Sequence, residues 1–108
     1  MYIAINDQTK FEWHDDKNVF NYLKHKIRFE EALSVFTDPF ALQMFDEDHS
    51  SDEERWNVLG SVGEETILFV VCTDYRNTIR LISARKATAY ERRKYHEKIH
   101  TYFQDQVE

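Results

Sequence analysis

Thr78-Ile-Arg-Leu-Ile-Ser-Ala-Arg-Lys-Ala-Thr-Ala-Tyr-Glu-Arg-Arg-Lys-Tyr95 is the stretch on which the fold turns. Thr78 to Ala84 is rich in apolar and β-branched residues and reads as a strand. Thr88-Ala-Tyr-Glu91 has the S/T-x-x-E spacing of a capping box, so a helix starts there. Its inner stripe is expected to be Tyr95, Ile99, Tyr102 and Phe103, with Arg92, Arg93, Lys94 and Lys98 on its other faces.

Working back toward the N-terminus, Asp74-Tyr-Arg-Asn77 turns this strand against the apolar run Thr66–Thr73. The loop Ser61 to Glu65, with Gly63, turns that run against Arg55–Gly60, and Phe40–Phe45 precedes an acidic loop, Asp46 to Glu54. Consecutive strands joined by such short loops are antiparallel, so three to four of them form a meander. Ahead of it the spacing predicts a helix from Asp15 or Asp16 to about Lys26, with Phe20, Leu23 and Ile27 inward. A second helix runs from about Phe29 to Phe36, with Phe29, Ala32, Leu33 and Phe36 on one face. Glu30 and Glu31 favour its first turn, and Pro39 stops it. Tyr2 to Trp13 reads as one or two short strands with a turn at Asn6-Asp7-Gln8. The class is α+β: an N-terminal strand, two helices, an antiparallel meander and a C-terminal basic helix.

The 108 residues suffice for one domain, 1–108, and not for two. Hydrophobic residues make up 42% and aromatic ones 15%, enough for a single core without staples. No run approaches the roughly 20 apolar residues that cross a bilayer, and Met1-Tyr-Ile-Ala-Ile5 lacks the features of a signal peptide. A cytoplasmic protein without membrane contact is expected. Cys72 cannot pair within the chain and sits in an apolar run, where packing is a better account than reactivity.

The net charge of −6 disfavours a nucleic-acid binder, but its distribution does not. Arg76 to His100 carries a net +6, against −12 for the remainder, and it is a local patch that sets the field felt by a polyanion. The helix charges alone serve solubility equally well. Arg80 and Arg85 are more telling, because an arginine interrupting an apolar strand needs a carboxylate or an anion. Simple alternation places Arg80 with Ile82 and Ala84, and Arg85 with Leu81 and Ser83. A salt bridge to Glu54 or another acidic residue would satisfy Arg80; so would a phosphate held bidentately. Lys17, Asn21, Lys24 and His25 share a face of the first helix, lining a polar groove or facing solvent. The acidic loop (Asp46, Asp48, His49, Asp52, Glu53, Glu54) lacks the register of a calcium loop and a second His for zinc. It reads as a solvated loop or a partner of the basic unit.

Phe11-Glu-Trp-His-Asp-Asp-Lys17, Asn21, Lys24-His25 and Phe29-Glu-Glu-Ala32 resemble the opening signature of the BrnT toxins. His49, Glu54-Arg55, Gly60, Ile79 to Ala87 and Glu91-Arg-Arg-Lys-Tyr95 resemble the rest of it, so that the likeness spans about 11–95. Two departures are visible: His14 in place of Asp, and Lys26 in place of a Gly. The second implies a different stop for the first helix.

The resemblance implies a RelE-like ribonuclease toxin of a type II toxin–antitoxin pair that cleaves RNA without metal or cofactor and inhibits translation. It implies a BrnA-like ribbon-helix-helix antitoxin, a hetero-oligomer with it, and DNA contact through the antitoxin alone, the complex repressing its own operon. Within that reading Arg80 and Arg85 stabilise the phosphorane, and the candidates for proton transfer are His49, Glu54, Lys24 and His25, with His49 and Glu54 the better pair if the acidic loop folds over the sheet. Lys24, His25, Arg55, Arg92 and Arg93 would bind RNA, and Tyr95 would stack on a base unless it belongs to the core. The competing reading is a non-enzymatic binding module, or a degenerate toxin kept as a co-repressor subunit.

Overall fold

The computed structural model describes residues 3–51 and 53–106. Among these residues five strands form one mixed sheet in the order β1-β5-β4-β3-β2, with β1 Lys10–Glu12, β2 Leu42–Phe45, β3 Glu54–Ser61, β4 Ile67–Tyr75 and β5 Thr78–Lys86. The meander β2 to β5 is antiparallel, as its short loops require. β1 lies outside β5 and parallel to it, a crossover that no local pattern announces. Tyr2, in the expected first strand, and Asp52, in the acidic loop, lie outside the described residues.

The turn between β4 and β5 is tighter than expected, only Arg76 and Asn77. Both have positive φ (49° and 63°), the geometry that matches strand twist in a two-residue hairpin. The main core lies on one face, where Phe29, Val35, Trp56, Val58, Val70, Cys72, Ile79 and Leu81 pack together. On the other face a smaller cluster of Leu59, Ile67, Ala87 and Tyr95 seats α3, Ala89–Asp105. Thr88 caps α3 and forms the capping box with Glu91, as its spacing predicts. Tyr95 is buried and Ile99 half-buried, but Tyr102 and Phe103 are exposed, their ring centroids 5.5 and 5.9 Å from that of Phe40.

Three expectations change. The second helix is α only over α2, Phe29–Ala32, and tightens into a 3-10 turn at Leu33–Thr37. With three residues per turn, Val35 also turns fully inward, while Leu33 packs half-buried against the same core. α1, Asp15–His25, has its apolar pattern reversed: Phe20 and Leu23 are exposed and Asn21 is the buried residue. Its N-cap is His14, with Asp15 and Asp16 in the first turn, where carboxylates suit the helix dipole. Its stop is unchanged in kind, because Lys26 itself adopts the left-handed conformation (φ 63°) and its N–H bonds to the Tyr22 carbonyl.

The third change decides the site. β5 carries one residue more than β4 at its middle, since Leu81 pairs with Cys72 but Ser83 with Val71. Ile82 is the extra residue of a bulge, and every side chain beyond it changes face. Arg80, Ser83 and Arg85 pair with Thr73, Val71 and Phe69, which alternate regularly on β4. The two arginines therefore stand on the same face of the sheet, not on opposite ones.

Candidate active site

The sheet face opposite the main core is covered by α3 at one end only. Its other end carries Arg55, Thr73, Arg80 and Ser83, and α1 runs along its border beside β5. Asn21 fixes that helix. Its Nδ2 donates to the carbonyls of Ala84 (2.8 Å) and Ile27 (2.9 Å), and its Oδ1 accepts from the Ala84 N–H (3.0 Å). Asn18 adds a bond from the Phe29 N–H to its Oδ1 (2.8 Å), tying α1 to α2.

Held in this way, α1 and β5 enclose a groove of about 380 Å³ lined by Asp16, Lys17, Phe20, Lys24, His25 and Ser83, among others. A second depression of about 300 Å³ adjoins it, with His14, Glu53, Arg55, Thr73 and Arg80; Lys17 and Ile82 line both. The bulge thus forms the boundary between two cationic pockets. Among the described residues Lys17 and Lys24 form no ion pair.

The electrostatics divide the cations into free and engaged ones. Arg80 donates from Nε to Glu12 at 3.0 Å and from Nη1 to Glu53 at 3.4 Å, so it is oriented between two carboxylates. Neither is Glu54. Arg85 is held bidentately by Glu91 (2.8 and 2.9 Å) and lies 4.2 Å over the Phe69 ring. The paired guanidinium holds the Glu91 carboxyl below its ordinary range. Arg55 approaches Asp46 only at 3.9 Å, and among the described residues its buried Nε has no hydrogen-bond partner. Burial, then the charges of Lys24 and Arg85, lower the His25 pKa below its usual 6.5, so the imidazole is neutral near pH 7.

Of the residues singled out from the sequence, Lys24 and His25 meet in the first pocket and Arg55 and Arg80 in the second. Arg85 stands behind them as a charge near His25, with its donors already spent on Glu91. The expected proton-transfer pair does not assemble. Glu54 pairs in register with Asp74, and so points to the opposite face from Arg55. Its carboxylate there joins burial in raising the Asp74 pKa. His49 is bound to Asp46 (2.9 Å), one carboxylate away from Arg55.

Arg92 and Arg93 line other depressions on α3 that share no residue with the groove. Arg92 donates to the Ala87 carbonyl. Tyr95 is a core residue whose hydroxyl bonds to Asp38, and burial with that carboxylate raises its pKa. Cys72 is fully buried, and its thiol is pushed up to about 12, which leaves it inert. Lys17, His14, Glu12, Glu53 and Ser83 complete the site. Lys17 was visible on its helix face, and Glu53 in the acidic loop expected to partner the basic unit, but Glu12 depends on the β1 crossover and Ser83 on the bulge.

A family model described as the ribonuclease toxin BrnT of type II toxin–antitoxin systems matches residues 13–91. That range holds every residue that lines the two pockets, but neither Glu12, the partner of Arg80, nor most of α3. No curated protein matches the chain. Among solved structures the chain is similar to the ribonuclease toxin BrnT of Brucella abortus. The TM-score is 0.61 at 21% identity, over 74% of this chain and 97% of that one, a likeness of fold.

Proposed function

This chain belongs to the BrnT family, the ribonuclease toxins of type II toxin–antitoxin systems, and on that premise we propose that it cuts RNA in the groove between α1 and β5. The observation that carries this reading is the meeting in one pocket of His25, whose pKa is lowered by burial and neighbouring cations, with Lys17 and Lys24, which form no ion pair among the described residues. In this mechanism a ribose 2′-oxygen attacks the adjacent phosphorus and the bond to the 5′-oxygen breaks. His25 takes the 2′-hydroxyl proton, and Lys24 gives one to the leaving oxygen. Lys17 and the second pocket's Arg55 and Arg80 offset the charge of the phosphorane. Arg80 reaches a phosphate by exchanging it for Glu53, the longer of its two contacts. Arg85 acts at a distance, its charge adding to burial and to Lys24 in lowering the His25 pKa.

The finer reading is a RelE-like, metal-independent enzyme that inhibits translation. It is neutralised by a BrnA-like ribbon-helix-helix antitoxin and represses its own operon with that partner. Incubation of the purified protein with RNA in EDTA tests the chemistry: cleavage that His25→Ala abolishes supports it, and intact RNA with the wild type refutes it. The carboxylates already on both strand arginines favour a second reading, a co-repressor subunit without activity. Intact RNA, together with tight antitoxin binding, is the result that reading requires.

A further inference from the structure

α1 wears its large apolar side chains on the outside. Val19, Phe20 and Leu23 are 57%, 71% and 64% exposed, and their spacing of one and four residues makes them a continuous ridge opposite the buried Asn21. A helix that turns its apolar stripe to water exposes the kind of patch that marks a protein contact. Phe20 also lines the first pocket, so the ridge begins at the rim of the groove. Its C-terminal end is flanked by Lys24, Lys26 and Arg28, none in an ion pair among the described residues. Lys26 and Arg28 lie over the Tyr22 ring at 5.9 and 4.2 Å.

We propose that this ridge is where the antitoxin docks, through an acidic amphipathic segment. Its apolar side chains cover Val19, Phe20 and Leu23, and its carboxylates meet Lys24, Lys26 and Arg28. The inference rests on the toxin reading above. Charge complementarity selects an acidic segment, and the side chains select protein over RNA. Phe20 at the groove rim is the one ridge residue of the three with a π-face; Val19 and Leu23 offer none on which a base stacks, whereas burial of such residues is what a protein interface supplies. Because Phe20 belongs to both the ridge and the groove, the seated segment also closes the groove. Binding and neutralisation are then a single event.

The test uses full-length toxin and the antitoxin polypeptide encoded beside its gene, titrated by calorimetry, with RNA cleavage by the free toxin measured in parallel. The double variant Val19→Glu/Leu23→Glu is expected to weaken antitoxin binding at least 100-fold while cleavage stays within about twofold of the wild type. Val19→Ser/Leu23→Ser, which adds no charge, is expected to weaken it about tenfold and covers the case in which the first variant fails to fold. Lys26→Glu/Arg28→Glu is expected to weaken binding and flatten its salt dependence. Antitoxin affinity within threefold of the wild type in the folded ridge variants overturns the proposal, whatever happens to cleavage. A wild type that leaves RNA intact would refute the ribonuclease reading alone, since the calorimetry still decides where the antitoxin sits.

Discussion

The side-chain amide of Asn21 exchanges a pair of hydrogen bonds with the main chain of Ala84, taking the N–H at 3.0 Å and giving to the carbonyl at 2.8 Å. Among the described residues β1 pairs with β5 only from Thr78 to Arg80, and beyond that point the outer edge of β5 has no strand beside it. Asn21 supplies the missing neighbour from a helix. One residue thereby ends the sheet, orients α1 and sets the width of the groove.

Asn21→Ala leaves the N–H and carbonyl of Ala84 and the carbonyl of Ile27 buried without partners. At about 1–3 kcal/mol for each such group, reduced by water entering, a loss of about 3 kcal/mol is expected. Asn21→Asp is no rescue, since it sets a carboxylate against two carbonyls. Urea denaturation midpoints check both, and an Ala variant within 0.5 kcal/mol of wild type (roughly the scatter of neutral surface changes) would contradict the account.

His25 is held neutral by burial and by the Lys24 and Arg85 charges. Arg85→Gln removes one of those charges, so the His25 pKa rises and the acidic limb of the pH–rate profile moves to higher pH. Arg85→Lys keeps the charge and leaves the limb in place. Imidazole proton shifts in NMR follow the same titration without relying on activity. The sign for stability is fixed too: below about pH 6.5 the unfolded histidine binds its proton first. The His25 contribution therefore falls as pH drops toward the folded-state value.

Arg80→Ala is expected to abolish toxicity on induction while the protein remains folded, because the half-exposed side chain supports no core residue. Glu53→Gln, which relaxes the longer of its two ion pairs, is expected to tighten RNA binding severalfold. Growth curves and RNA integrity read the first, and filter binding reads the second. Unchanged toxicity in a folded Arg80→Ala protein removes Arg80 from the mechanism.

Lys26 ends α1 in the left-handed conformation at φ 63°. Lys26→Gly is expected to stabilise the protein by about 1 kcal/mol, the usual strain of a non-glycine residue there. A higher melting temperature with the same denaturant slope is the readout.

At Gly60 a Cβ would lie 2.7 Å from Cγ1 of Val35 and 3.1 Å from its carbonyl oxygen, where the 3-10 turn crosses β3. Gly60→Ala is expected to cost about 1–3 kcal/mol through overpacking, measured by thermal melts.

The sequence by itself determined what depends on near neighbours. The meander follows from apolar runs and short turns, the start of α3 from Thr88 and Glu91, and the end of the second helical segment from Pro39. The family, too, lies in residue order, and so does the pairing of Lys24 with His25 on one helix face. The tertiary structure alone decided what depends on distant partners. Alternation cannot foresee the extra residue at Ile82, which moves Arg85 to the face of Arg80, nor the parallel strand that brings Glu12 to that arginine. It also reads α1 inside out. The apolar pattern of Phe20 and Leu23 predicts an inward stripe, yet an unpaired strand edge at Ala84 needs an amide more than the core needs another ring. The buried polar group therefore takes the inner position, and the apolar residues are left facing outward.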